Sequence, residues 1–212
     1  MSGKRAKPRA KKTSRRTSAS SRNSTATQSF KQTLQAAARA LKGERWYLFG
    51  AQAVAIHGVP RVTADVDVTV EPSRAGLSPL MRRLERAGFV LKPVGDIDSF
   101  IAQTRVLPFT HEPTRTSLDV VLAGPGLEEG MLDRAVDRRL GGVRLRVIDI
   151  NDLLVLKIIA SRSKDLEDVA ALLRAAPAGL DSDLVEQRLS EFERAIDASD
   201  LVARFREIRR RS

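Results

Sequence analysis

The chain has 212 residues, 42% of them hydrophobic and 30% charged, which suits one sizeable domain, or one domain with a small helical annex. It has no cysteine and two histidines, which excludes disulfides and thiolate metal sites and argues against a structural zinc. The formal charge of +11 is concentrated: nine Lys or Arg and no acid fall in residues 1–28, leaving 28 basic residues against 26 acidic ones elsewhere.

Residues 1–28 are rich in Ser, Thr, Lys and Arg and poor in large apolar side chains. Such a segment cannot bury enough surface to offset its chain entropy, so a disordered basic tail is expected there. A tail of this kind contacts polyanions through phosphates without sequence specificity, or simply aids solubility. No apolar run approaches the roughly 18 residues of a transmembrane helix. The basic N-terminus lacks the apolar stretch of a secretory signal. A cytoplasmic protein without a membrane partner is the expectation.

From residue 29 the pattern becomes that of a folded chain. Phe30, Leu34, Ala38 and Leu41 recur at helical spacing. Arg45 to Gly50 (RWYLFG) reads as a short buried strand ending at a glycine. AQAVAIHG follows as a helix stopped by Gly58, with Pro60 beyond. DVDVTVEP alternates strictly and predicts a strand, and Leu77, Leu80, Met81 and Leu84 mark a helix closed by Gly88. FVLK and Ala102 to Thr110 (AQTRVLPFT) read as strands. After the turn-prone HEPTRT, SLDVVLAGPG reads as a strand stopped at Gly-Pro-Gly. LEEGMLDRAVDRR predicts a poor helix interrupted by Gly130, and GGVRLRVID a further strand. From Asn151 onward only helices are expected, with a break at Pro177 and Gly179. The fold class is α/β (α+β): an α/β domain over 29–150 and a C-terminal helical region over 151–212.

Strand alternation sets Asp65, Asp67 and Thr69 on one face and Val66, Val68 and Val70 on the other, the natural core face. Two carboxylates side by side repel unless a cation sits between them, and Mg²⁺ favours carboxylate oxygens while keeping positions open for phosphate. Asp119 stands among Leu118, Val120, Val121 and Leu122, where an aspartate is disfavoured inside a strand. If the two strands are neighbours, three carboxylates converge as metal-assisted phosphoryl or nucleotidyl transfer requires. A lone Asp-x-Asp pair is common by chance. The glycine turn upstream, after a strand and before a helix, adds a place for an anion. No Walker motif, dinucleotide fingerprint or Gly-x-Ser-x-Gly elbow occurs.

The stretch GAQAVAIHGVPRVTADVDVTV resembles the signature of the DNA polymerase β-like nucleotidyltransferase superfamily, and most of all its AbiEii-type and minimal nucleotidyltransferase toxin branch. The family pattern, Gly-Gly or Gly-Ser, a helix and then Arg-x-Thr-x-Asp-x-Asp, matches Gly50, Ala51, Arg61, Thr63, Asp65 and Asp67. Its third carboxylate matches Asp119. A later lysine-bearing helix and Lys-Asp-x-x-Asp-x-x-x-Leu match Lys157, Lys164, Asp165, Asp168 and Leu172, so the likeness spans about residues 45–175. Ala51 departs from the pattern: many members carry a serine there whose hydroxyl contacts phosphate.

The resemblance implies a nucleotidyltransferase-like mixed β-sheet flanked by helices. It also implies an NTP substrate and Mg²⁺ (or Mn²⁺) held by Asp65 and Asp67, with Asp119 completing a second metal site. By the same resemblance, Gly50 and Ala51 would cradle phosphates, with Arg61, Thr63, Lys157 and Lys164 around the nucleotide. The acceptor would be a hydroxyl on tRNA, another RNA or a protein, and the partner a cognate antitoxin. Residue by residue, other readings stand beside this one: Lys157 as a snorkelling lysine, Asp165 and Asp168 as helix-terminal carboxylates, His57 as a packed side chain. A second reading of the whole is a catalytically degenerate nucleotidyltransferase fold that binds nucleic acid or a partner.

Overall fold

A computed structural model describes residues 17–212 except 62, 64, 141, 198 and 199, and of residues 17–27 only the backbone. Seven strands form one mixed sheet: β1 (Arg45–Leu48), β2 (Asp65–Glu71), β3 (Phe89–Leu91), β4 (Val106–His111), β5 (Thr116–Leu122), β6 (Val136–Leu140) and β7 (Val143–Val147). Their order across the sheet is β3-β4-β5-β2-β1-β7-β6. The β2–β5 and β1–β7 pairs are parallel and the remaining neighbours antiparallel.

The helices of the first half are α1 (Thr17–Ala40), α2 (Gly50–Ile56), α3 (Leu77–Arg86), α4 (Ile97–Thr104) and α5 (Leu127–Arg134). They are followed by α6 (Ile150–Ala160), α7 (Ser163–Ala175), α8 (Ser182–Ile196) and α9 (Leu201–Arg211). α1 packs against β5, β7 and α3, while α5 lies against β1. The core takes Leu34 from α1 and Leu41 from the turn after it, the three valines of β2, and Leu107, Phe109, Leu118 and Val120 from β4 and β5. Helix α6 is buried nearly all round, through Ile150, Leu153, Leu154, Val155 and Ile158. It touches α2 on one side and α7, α8 and α9 on others, as a helix apolar on every face must. None of the described helices is long and apolar enough to cross a membrane.

Three elements differ from the sequence expectation. Helix α1 starts at Thr17, inside the segment read as tail, whereas residues 1–16 lie outside the described residues. Once Leu34 to Leu41 are packed, each residue added N-terminally costs only its own ordering, and the nucleation cost is already met. The strand expected over residues 102–110 begins only at Val106. Before it runs α4, capped by the Asp96 carboxylate, which accepts from Ser99 N–H at 3.0 Å, and closed at Arg105 in the left-handed region (φ 58°). The helix expected over residues 127–139 passes straight through Gly130 but ends at Arg134. Val136 to Leu140 instead pair with β7 as the edge strand β6.

Along β2 the polar face is covered progressively. Thr69 is buried against Tyr47, its register partner on β1, whose hydroxyl meets Met131 Sδ of α5 at 3.7 Å. Asp67 is half-buried and Asp65 exposed. The sheet's second face therefore opens into a cleft at the start of β2.

Candidate active site

A cleft of about 750 Å³ lies where the end of β1 and the start of β2 face α6 and α7. Gly50, Ala51, Arg61, Thr63, Asp65, Asp67, Asp119, Lys157 and Lys164 all line it. Strand β1 leads into the cleft through Phe49, whose N–H donates to the Asp67 carbonyl at 3.0 Å. The chain then turns at Gly50, with φ +66°, directly into α2. This glycine is required twice over. An L-residue is strained at that φ, and a Cβ there would collide with the Asp67 carboxylate.

Asp67 and Asp119 are register partners on the parallel strands β2 and β5. The strand pairing on which their proximity depended is therefore present. Burial first, and then the charges of Asp119 and Asp65, push the Asp67 carboxyl up to about 6, against the opposing influence of Arg162 and Lys157. Such a crowd of carboxylate oxygens suits a hard divalent cation, which would offset the repulsion and hold Asp67 ionised. Among the described residues, no three carboxylate or imidazole groups close tightly enough around one point to hold an ion as they stand. Asp119 is instead paired through Oδ1 with Lys92 Nζ at 3.3 Å. Thr63 lies just upstream, its hydroxyl accepting from the Asp65 N–H at 3.2 Å.

The opposite wall is a chain of ion pairs. Lys157 does not snorkel: it is buried, and its ammonium donates to Asp165 Oδ1 at 3.0 Å and Asp168 Oδ2 at 2.8 Å. Arg162 Nε donates to the far oxygen of Asp165 at 2.6 Å. Arg61 Nε lies 3.0 Å from Asp168 Oδ1 but off the line of a hydrogen bond, and so is buried without a hydrogen-bond partner among the described residues. Burial works to raise the Asp165 carboxyl, but hydrogen bonds from Arg162 and Lys157 outweigh it and hold the group below the usual carboxylate range. Three cations against two carboxylates leave this wall positive, facing the aspartates of the sheet. Lys164 is exposed on the same wall and has no ion-pair partner among the described residues. Val106, Val121, Leu153 and Leu156 supply an apolar lining.

The sequence reading passed over Lys92 and Arg162. Neither sits in a recognisable motif, and Lys92 meets Asp119 only because β3, β4 and β5 are adjacent. His57 is packed, with Nε2 2.9 Å from the Ile148 carbonyl oxygen, and His111 bonds Thr114 and Thr33, away from the cleft.

Among solved structures, the antibiotic-resistance factor ANT(2'')-Ia is similar at a TM-score of 0.55 and 14% identity, over 82% of this chain and 94% of that one. An antigenic nucleotidyltransferase-like protein from Paracoccidioides brasiliensis (TM-score 0.49, 16% identity) matches over 82% and 91% of the two chains. A putative nucleotidyltransferase from H. pylori (0.47, 15%) matches over 86% and 92%. At these identities the likeness concerns the fold alone, a mixed sheet with flanking helices. No curated protein matches the sequence. The family model described as "Nucleotidyl transferase AbiEii toxin, Type IV TA system" matches residues 32–211. The chain belongs to the AbiEii family of nucleotidyltransferase toxins.

Proposed function

We propose that the chain is a metal-dependent nucleotidyltransferase that moves a nucleoside monophosphate from an NTP to a hydroxyl on RNA, with tRNA as the first acceptor to test. The observation that carries this reading is the shared row of Asp67 and Asp119, set beside the Gly50 turn and opposite a positive wall in one cleft. The comparisons support nucleotidyl transfer and a toxin role; the metal, the acceptor and the residue roles are our inference.

Asp65 and Asp67 would hold a Mg²⁺ or Mn²⁺ ion, which when bound offsets charge on the triphosphate oxygens. The backbone N–H groups at Gly50 and Ala51 donate to the terminal phosphates, a task that needs no side-chain hydroxyl at position 51. Lys157 spends two N–H bonds on Asp165 and Asp168, which leaves one donor for a phosphate oxygen. Arg61 and Lys164 add positive charge beside it, and Thr63 braces the start of β2. Asp119 accepts the hydrogen bond and then the proton of the acceptor hydroxyl, whose oxygen attacks the α-phosphorus in line as the α–β phosphoanhydride bond breaks and pyrophosphate leaves. The apolar lining suits the nucleobase. An antitoxin would restrain the activity in a cytoplasmic setting, and the domain division at residue 150 would place the phosphate wall on the helical region.

The test is incubation with each labelled NTP, Mg²⁺ and total RNA, comparing wild type with Asp67→Ala. Label on RNA with wild type alone is the expected result. If wild type transfers no label yet shifts RNA on a gel, the chain is a binding module on a nucleotidyltransferase frame.

A further inference from the structure

Lys92, the residue that follows β3, and Asp119 belong to one row that continues across β4, β5 and β2. Lys92 N–H donates to the Pro108 carbonyl at 2.8 Å, Pro108 is the register partner of Asp119, and Asp119 is that of Asp67. Directly opposed residues project on the same face of a sheet. Neighbouring strands lie about 4.8 Å apart, so the Lys92 backbone is about two spacings from Asp119. An extended lysine spans that gap only if the residue between them is low. Pro108 is that residue, its ring folded back on its own backbone, and Lys92 Nζ reaches Asp119 Oδ1 at 3.3 Å.

We propose that Lys92 is the resident cation of Asp119: it fixes this carboxylate and takes the place of a second divalent ion, leaving Asp65 and Asp67 as the metal site. The inference rests on the reading of those two aspartates given above. Two further observations support it. Among the described residues, Asp119 has no ion-pair partner but Lys92, and the three aspartates do not close around a common point. A tethered ammonium has a high effective concentration that a free ion must overcome before it can bind Asp119. The bridge engages one oxygen of Asp119 and leaves the other for the acceptor hydroxyl. Lys92 is therefore a positioning residue, acting on the reaction through Asp119.

Mn²⁺ binding without nucleotide, followed by the loss of the free-ion EPR signal, separates the outcomes. Wild type should bind about one ion per chain, and Lys92→Met about two, the second at least about tenfold tighter than any further site in wild type. Lys92→Arg, which keeps the charge, should bind about one, and Lys92→Met combined with Asp119→Asn should lose the gained site. Both groups of the bridge are partly exposed, at 31% and 38%, so these variants should fold, which a thermal melt checks. A Lys92→Met protein that binds Mn²⁺ just as wild type does overturns the proposal while leaving the metal reading of Asp65 and Asp67 intact. Absence of binding in every variant overturns that reading, and the proposal with it.

Discussion

Gly50 and Asp67 are packed so closely that the position of one fixes the chemistry of the other: any Cβ at residue 50 would occupy the space of the Asp67 carboxylate. Gly50→Ala should therefore act twice. The left-handed φ of +66° costs an L-residue about 1 kcal/mol, which thermal unfolding should register as a drop of several degrees. The displaced carboxylate should lower transfer by about a hundredfold, the scale of a small misplacement at a reacting centre. Normal kcat with only a stability loss would show that the Asp67 carboxylate need not stay where it lies.

The Lys157 wall separates support from direct contact. Asp168→Asn removes a charge shared by Lys157 and Arg61, both largely buried, so urea unfolding should show a loss of about 3 kcal/mol together with a raised KM for NTP. Lys164→Ala, on the exposed part of the same wall, should leave the unfolding midpoint unchanged and raise KM up to about tenfold. An equal stability loss in both variants would assign Lys164 to the scaffold.

Asp152 joins the two halves of the chain. It is fully buried on α6, takes two hydrogen bonds from Arg134 of α5 at 2.9 and 3.0 Å, and one from Arg188 of α8 at 2.7 Å. Asp152→Ala leaves Arg134 without its buried partner and leaves Arg188 only its longer pair with Asp149 at 3.6 Å. Arg134 is 39% exposed and regains some water, so the expected loss is about 2–3 kcal/mol, below that of a wholly buried pair. The loss should appear in a single cooperative transition, since α6 packs on both halves; two separated transitions would show that the halves unfold independently.

Acid sensitivity should come partly from His57. Burial lowers its pKa below 6.5, against a hydrogen bond to the Ile148 carbonyl that raises it. As the pH falls below 6.5, the unfolded chain takes up this proton before the folded one does, so stability falls with falling pH through that window. His111 is lowered in the same direction, again by burial first. Urea midpoints between pH 8 and pH 5 should therefore decline, and His57→Gln should remove part of the decline. An unchanged slope in that variant would show that His57 does not carry it.

The sequence by itself determined what depends on short-range periodicity. A period of two was enough to set Asp65 and Asp67 on one face and three valines on the other, and a period of 3.6 to mark α1, α3 and the C-terminal helices. Gly50 was legible as a turn because the chain passes there from strand to helix. Helix α4 was not legible because its stripe, Ile97, Phe100 and Ile101, is confined to 8 residues, is nowhere fully buried and runs straight into the strand-like Val106 to Thr110. Strand β6 was not legible because Asp137, Arg138 and Arg139 are exposed and only pairing with β7 makes them a strand. The carboxylate cluster divides in the same way. Which aspartates face the cleft follows from alternation within each strand. That Asp119 stands beside Asp67, that Lys92 reaches Asp119 across Pro108, and that Lys157 is clamped by Asp165 and Asp168 were decided by the packing of strands and helices distant in sequence, which no local pattern encodes.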